Sequence, residues 1–256
     1  LPTFLESCMT FLHSHPIAVA VSSGSIIKKW GHPDHIWTGP PGQHWEKEKP
    51  RVLEKFFQFW GDHDHVRTGT VMIRRSVIEK AGYQRGDLRV SQDLEYWAYI
   101  ATFGPWGLIS TPLWVGNPMS SIVDRTWLQK YRRRRCSCPS VEQWERRIVP
   151  RLRDEEWPGF RRVRGRVAAG YCQNRILNGD TTSARQVVRR YGSEMPVSSF
   201  SKTVRCADRL GGVGWGVACK LVVFRERLKS LLVDLHLRWN HHGSKRSKAQ
   251  GIVDTE

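Results

Sequence analysis

An α/β domain followed by a basic, mainly α-helical C-terminal arm is the fold class this sequence predicts, and three observations carry it. Short apolar runs at Ile17 to Val21, Val66 to Ile73 and Gly107 to Val115 alternate with segments of helical periodicity, the order of a sheet flanked by helices. Beyond Pro118 the alternation stops and Arg-rich helical patterns take over. The charge changes at the same place: residues 1–120 hold 12 Lys/Arg against 11 Asp/Glu and residues 121–256 hold 29 against 13, so the halves carry +1 and +16. With 39% hydrophobic residues and 12 tryptophans in 256 positions, the chain has enough apolar material for a real core.

Taken in order, residues 2–14 place Phe4, Leu5, Cys8, Met9 and Leu12 on one helical face, and His15-Pro16 stops that helix. Ile17 to Val21 reads as a strand buried on both faces, as in a parallel sheet. Gly31 to Pro50, rich in Gly, Pro, His and Trp and without periodicity, reads as a loop excursion. Val52 to Trp60 predicts a short aromatic-faced helix, Val66 to Ile73 a strand, Ser76 to Ala81 a helix and Gly82 to Val90 a loop. Asp93 to Phe103 predicts the next helix and Gly107 to Val115 the last strand.

In the arm, Trp127 to Arg135 and Val141 to Arg153 predict basic helices, and Arg161 to Leu177 another that ends at Asn178-Gly179. Asp180, Thr181, Thr182 or Ser183 can cap a following helix through Arg190. Leu221, Phe224, Leu228, Leu231 and Leu235 recur at spacings of three and four among Arg225, Arg227, Lys229 and Arg238, so 215–239 should be amphipathic. Packing of that helix on the arm is favoured over an interfacial membrane helix. The polar segment 241–256 is expected to be a disordered tail.

Between Thr68 and Pro112 a strand carrying Thr68-Gly69-Thr70 leads through Arg74-Arg75 to a helix, a loop with Gly82 and Gly86, and a helix opening on Ser91-Gln92-Asp93. That order resembles the acceptor-side half of a family 2 (GT-A type) glycosyltransferase, in which a Thr-Gly or Thr-Ser strand leads through Arg-Arg and a Gly-containing turn to an acidic pair opening a helix. The resemblance covers residues 1–118, is strongest over 66–113 and does not extend to the arm at 119–240. It implies a partial GT-A (Rossmann-like) sheet with flanking helices, whose nucleotide-binding half would come before Leu1. The implied activity is inverting transfer of a sugar from a nucleotide-sugar donor to a hydroxyl of a glycan or lipid acceptor, in cell-envelope or surface glycan synthesis. A divalent metal, Mg or Mn, is expected for the complete enzyme with ligands outside this chain. The chain alone is expected to be inactive and not to bind a sugar nucleotide productively.

By the resemblance, Asp93 aligns with the second acid of the pair and would take the acceptor's proton, while Gln92 stands where Glu or Asp is commoner. A helix N-terminus suits a carboxylate base, because backbone N–H groups and the macrodipole fix its direction. Outside that pattern Asp93 would read as a first-turn acid behind a Ser91 N-cap. Thr68, Gly69 and Thr70 are substrate-binding candidates because Gly69 has no side chain to keep backbone from a sugar, although an ordinary tight turn has the same composition. Arg74 and Arg75 leave the strand where they could reach a phosphate or an acidic acceptor group, and at least one is expected in an ion pair with Asp87 or Glu95. Trp97, on Asp93's helical face, could stack on a pyranose ring or belong to the core. Asp62-His63-Asp64-His65 has metal-ligand residue types but reads better as a polar loop. Gly116-Asn117-Pro118-Met119 stands where family members often carry Tyr-Arg or His, so that later contact stays unassigned.

Six cysteines, Cys8, Cys136, Cys138, Cys172, Cys206 and Cys219, lack disulfide-framework spacing and read as buried or free thiols of a reducing compartment. Cys136-Ser137-Cys138 lacks a second pair at zinc spacing. No run of about 18 apolar residues and no signal-peptide pattern occurs, so the expected location is cytoplasmic, with peripheral attachment at the inner face of the plasma membrane as an option. The arm's charge calls for an acidic partner: an anionic membrane surface, a protein or a nucleic acid. A nucleic-acid module built on Arg132 to Arg135, the basic arm and its interleaved Trp and Tyr is the second reading, less favoured because it has no RNP, zinc-finger or helix-turn-helix signature and the arm's basic residues are spread around several helices. A protein-interaction module docking through the helical hairpin is the third.

Overall fold

The apolar runs that announce strands coincide with them only in part: of Ile17 to Val21, expected as a strand buried on both faces, only Ala20 and Val21 are in strand, at the start of the first strand, and Ile17 is exposed in the turn before it. The computed structural model describes residues 2–29, 32–37, 49–63, 65–116 and 138–228. Its strands are β1 (Ala20–Lys29), β2 (His32–Trp37), β3 (Arg51–Leu53), β4 (Val71–Ile73) and β5 (Trp106–Gly116). The sheet order is β2-β1-β5-β3, with β4 also on β1. β1 and β5 are parallel, β2 and β4 run antiparallel to β1, and β3 runs antiparallel to β5. The molecule is thus mixed α/β. β1 continues through Ser22-Ser23-Gly24-Ser25, which no hydrophobic pattern marks, because β5 pairs with it along its length. Fully buried Ser22 accepts a hydrogen bond from the Trp106 indole at 3.1 Å.

Alternate residues of the parallel pair face opposite layers, as a period of two requires. Val21, Ile109 and Leu113 pack under α1 (Phe4–Ser14) with Cys8, Phe11 and Leu12. Ala20, Trp106 and Leu108 face the main core. The face of α1 differs from the predicted one: Leu5 and Met9 are exposed and Phe11 is buried, because the helix contacts the sheet along Cys8, Phe11 and Leu12. Two further expectations change. Residues 51–53 pair with β5 as a strand, and the aromatic helix α2 (Phe56–His63) starts after them. The excursion expected at 31–50 contains β2, whose pairing with β1 outweighs its Pro and His content; residues 38–48 lie outside the described residues.

Val66 to Ile73 yields only three residues of strand, because Thr70 donates its N–H to the Arg67 carbonyl at 3.0 Å and closes a turn. Helices α3 (Arg75–Ala81) and α4 (Gln92–Ala101) lie within two residues of expectation.

In the arm, the helix predicted for 141–153 stops early. A capping box of Ser140 and Gln143 opens α5 (Val141–Glu145), and Pro150, lacking an N–H, lies where 3₁₀ turns at Val149–Arg151 and Asp154–Glu156 replace the ladder. Helix α6 (Trp157–Leu177) begins four residues earlier than expected, Pro158 and Gly159 being accommodated in its first turn. Gly159 is there because α2 crosses against it: a Cβ would stand 2.3 Å from the Gln58 nitrogen. Asp180 caps α7 (Thr181–Tyr191) through the Ser183 N–H, and Ser198 caps α8 (Ser199–Arg209), a helix with no counterpart in the predicted elements. Residues 211–228 form α9. The expectations for 117–137, including the 118/119 boundary, the 127–135 helix and Cys136, and for 229–256 lie outside the described residues.

One hydrophobic cluster runs from Val19, Leu53 and Trp106 through Trp60 into Trp144, Phe160, Tyr171 and Trp215, so the arm's helices and the sheet share a core. Much of the arm's arginine is internal to it. Arg164 bridges Glu145 and Glu194, Arg175 pairs with Asp180, Arg189 with Asp208 and Arg190 with Glu142. Cys8, Cys138, Cys172, Cys206 and Cys219 are free thiols, and burial pushes those of Cys8 and Cys138 up to about 11.

His65 lies buried against the rings of Phe59 and Phe56, at 4.8 and 5.8 Å, with neither ring nitrogen hydrogen-bonded among the described residues. Burial first, then the charges of His63 and Arg166, hold its pKa well below the ordinary 6.5. The unfolded chain takes up that proton near 6.5 and the folded one does not. Stability is therefore full above that pH and falls below it, by up to about 1.4 kcal/mol per pH unit. Denaturant unfolding between neutral pH and pH about 5 should show this slope, and His65→Phe should reduce it by close to one proton.

Candidate active site

The turn that ends β4's approach and the helix that carries Asp93 are 25 residues apart and meet through side chains. Thr68 Oγ1 donates to Asp93 Oδ2 at 3.0 Å, and Asp93 Oδ1 accepts the Leu94 N–H at 2.9 Å, so both carboxylate oxygens are held in direction. The turn hangs from the sheet. The Thr70 carbonyl accepts the Ser23 N–H of β1 at 2.9 Å, and buried Thr70 Oγ1 donates to the Arg67 carbonyl while accepting the Arg67 N–H. The cluster lies beside the middle of the parallel pair: the turn is bonded to Ser23, the fourth residue of β1, and Trp114 is the ninth residue of β5.

Gly69 has φ +97°, and a Cβ there would come within 2.5 Å of the Trp114 Nε1. The half-buried Trp114 indole lies between Gly69 and Gly116, next to the turn whose Thr68 holds Asp93. Sequence reasoning missed Trp114, which no local pattern connects to the Thr68 to Thr70 turn, because β5 and β4 lie on opposite sides of β1.

Gln92 is exposed and lines an open cavity of about 210 Å³ with Gln84, Arg85, Gly86 and Arg89. Arg85 is tied to Asp87 and to the Gln143 carbonyl, which leaves Arg89 and the two glutamines as the adaptable part of this rim. Other predicted residues are not brought to the cluster. The Arg74 guanidinium donates to the carbonyls of Leu12, His15 and Ala18, tying the end of α1 to the sheet. Arg75 pairs with Glu79 on an exposed face. Neither arginine meets Asp87 or Glu95, whose partners are Arg85 and Arg147. Trp97 is half-buried against the main core beside Tyr96.

Helix α4 is aimed from the arm. Its entry residue Ser91 has φ 56°, ψ 29°, the one left-handed non-glycine residue among those described, and its side chain caps nothing. The carbonyls on either side of that strain are held: Tyr171 donates to Val90 at 2.9 Å and the Trp144 indole to Ser91 at 3.1 Å. Burial pushes the Tyr171 phenol far up, so it remains a donor. One turn on, fully buried Glu95 receives both Arg147 Nε and Nη2, at 2.5 and 2.7 Å, and Arg147 also stacks on Tyr99 at 4.1 Å. Arg151 then reaches Thr102 at 3.1 Å. Residues 144, 147 and 151 therefore grip α4 from its first residue to its last.

Asp62, His63 and His65 do not converge: Asp62 faces Arg162 and Gln58, and His65 is enclosed by aromatic rings. Among the described residues no group of three His, Cys, Asp or Glu side chains could hold a metal ion, so the metal implied by the resemblance has no donor set here. No helix among them is long and apolar enough to cross a membrane. No family model and no curated protein matches the chain.

Gly69→Ala should cost about 1–3 kcal/mol, from the positive φ and the collision with Trp114, read by denaturant unfolding together with a change in tryptophan fluorescence. Arg147→Met should cost about 3–5 kcal/mol by leaving Glu95 buried without its partner, and the double variant Arg147→Met/Glu95→Gln should recover part of that.

Proposed function

We propose that this chain carries the acceptor side of an inverting glycosyltransferase of the GT-A type, with Asp93 as its general base. The observation that carries the reading is the Thr68 to Asp93 hydrogen bond. It joins the Thr-Gly-Thr turn and the helix-opening acid, two parts of one sequence pattern, beside the parallel strand pair β1 and β5.

In this reading Asp93 takes the proton from an acceptor hydroxyl as that oxygen attacks the anomeric carbon, and the bond from that carbon to the nucleoside diphosphate breaks on the opposite side. Thr68 and the Leu94 N–H hold the carboxylate's direction, and each oxygen keeps a lone pair for the incoming proton. Trp114 offers an apolar face to a sugar ring, and Gln84, Arg89 and Gln92 offer polar contacts to the rest of the acceptor. Thr70 and Gly69 shape the turn, whereas Arg74 serves the fold. Donor binding is assigned to no residue of this chain. The substrates proposed are a nucleotide sugar and a glycan or lipid of the cell envelope or surface.

The test is nucleoside diphosphate release from UDP- and GDP-sugars, using protein expressed from its complete reading frame with envelope glycolipid as acceptor. Asp93→Asn should lower turnover about 10²–10⁴-fold with unchanged melting. Thr68→Val should lower it about ten-fold through loss of the orienting bond. An Asp93→Asn protein that turns over as the parent does would place the base elsewhere.

A further inference from the structure

Helix α9 has two apolar faces, and the core uses one of them. Trp215, Ala218 and Val222 turn inward, and the Trp215 indole donates to Asp208 at 3.3 Å. On the outer side a second stripe begins at Leu210, just before the helix, and continues through Val213, Val217, Leu221, Phe224 and Leu228. Its exposure runs from 45% at Leu228 to 83% at Val213. Spacings of three and four keep these six residues in one line, on a helix about 27 Å long at 1.5 Å per residue. A continuous exposed apolar stripe of this kind marks a contact surface.

The margins of the stripe say what that contact is. Exposed Lys220 and Arg227 follow one edge, and Arg225, exposed but donating to Ser199 Oγ at 2.9 Å, the other. The acid of α9, Glu226, is turned away and accepts from Gln173 at 2.9 Å. We propose that α9 lays this face on an anionic lipid surface, its leucines and Phe224 entering the acyl boundary and its basic residues reaching the headgroups. A second copy docked through the same stripe would oppose identical basic margins. Residues 229–256 bring Lys229, Arg238, Lys245, Arg246 and Lys248 against Asp234, Asp254 and Glu256, so they do not complement the charge either. The proposal is independent of the catalytic reading, since it concerns no residue near Asp93.

Co-sedimentation of the full chain with phosphatidylcholine vesicles, with and without phosphatidylglycerol, tests it. Binding should require the anionic lipid and weaken with salt. Leu221→Ser/Phe224→Ser, at exposed positions, should keep the parent circular dichroism and bind at least about ten-fold more weakly. Lys220→Ala and Arg227→Ala should each cost about five-fold. Absence of binding to anionic vesicles, or parent-like binding by the double serine variant, overturns the proposal. So does a dimer that the double variant dissolves in a protein that leaves anionic vesicles unbound.

Discussion

The geometry around Asp93 depends on two consecutive carbonyls, those of Val90 and Ser91, being held from outside the α/β sheet. A serine in the left-handed region costs on the order of 1 kcal/mol, and no local side chain compensates it. Tyr171 and Trp144 supply the compensation from the arm, and the buried Glu95 to Arg147 pair fixes the following turn. A buried ion pair adds little net stability, but it is intolerant of displacement. That intolerance fixes the direction in which the first turn of α4 presents Asp93.

The arm is therefore part of the site's construction as well as a carrier of charge. Its arginines divide into two groups. Arg147, Arg164 and Arg175 are directed inward to carboxylates and carbonyls and do the work of packing. Lys220 and Arg227 border an exposed apolar stripe on one edge, and Arg225, which donates to Ser199, borders it on the other. A net charge of +17 read as a single number conceals this division.

Much of the fold was legible in the sequence, for physical reasons that also explain the failures. α4 and β5 were placed close to where they form, whereas of β1 only its first two residues, Ala20 and Val21, fell in the predicted run, the polar Ser22 to Ser25 being held in strand by pairing with β5. β2 was not legible, because its pairing with β1 supplies a stability that His and Pro content hides. The short β3 was read as the start of a helix, since Val52 to Trp60 suits either period until the partner strand is known. At the candidate site, Asp93 and the Thr68 to Thr70 turn were singled out only through the family resemblance, since by themselves they read as a helix start and a tight turn, and their hydrogen bond was implied by nothing local. Arg74 was misleading: a basic residue leaving a strand looks available until the helix end above it offers three carbonyls. Trp114, Trp144, Arg147 and Tyr171 act at long range, and only a three-dimensional arrangement brings them to the site.

The most direct test of this account is amide hydrogen exchange in the double variant Trp144→Phe/Tyr171→Phe, which removes both donors to the Val90 and Ser91 carbonyls, read beside the control Phe160→Leu, which disturbs the same core contact of Trp144 and keeps both donors. Exchange should accelerate about ten-fold or more at the amides of Gln92 to Glu95 while β1 and β5 keep their protection. Unchanged protection across the first turn of α4, or a uniform loss throughout the sheet, would contradict the claim that the arm holds Asp93 in place.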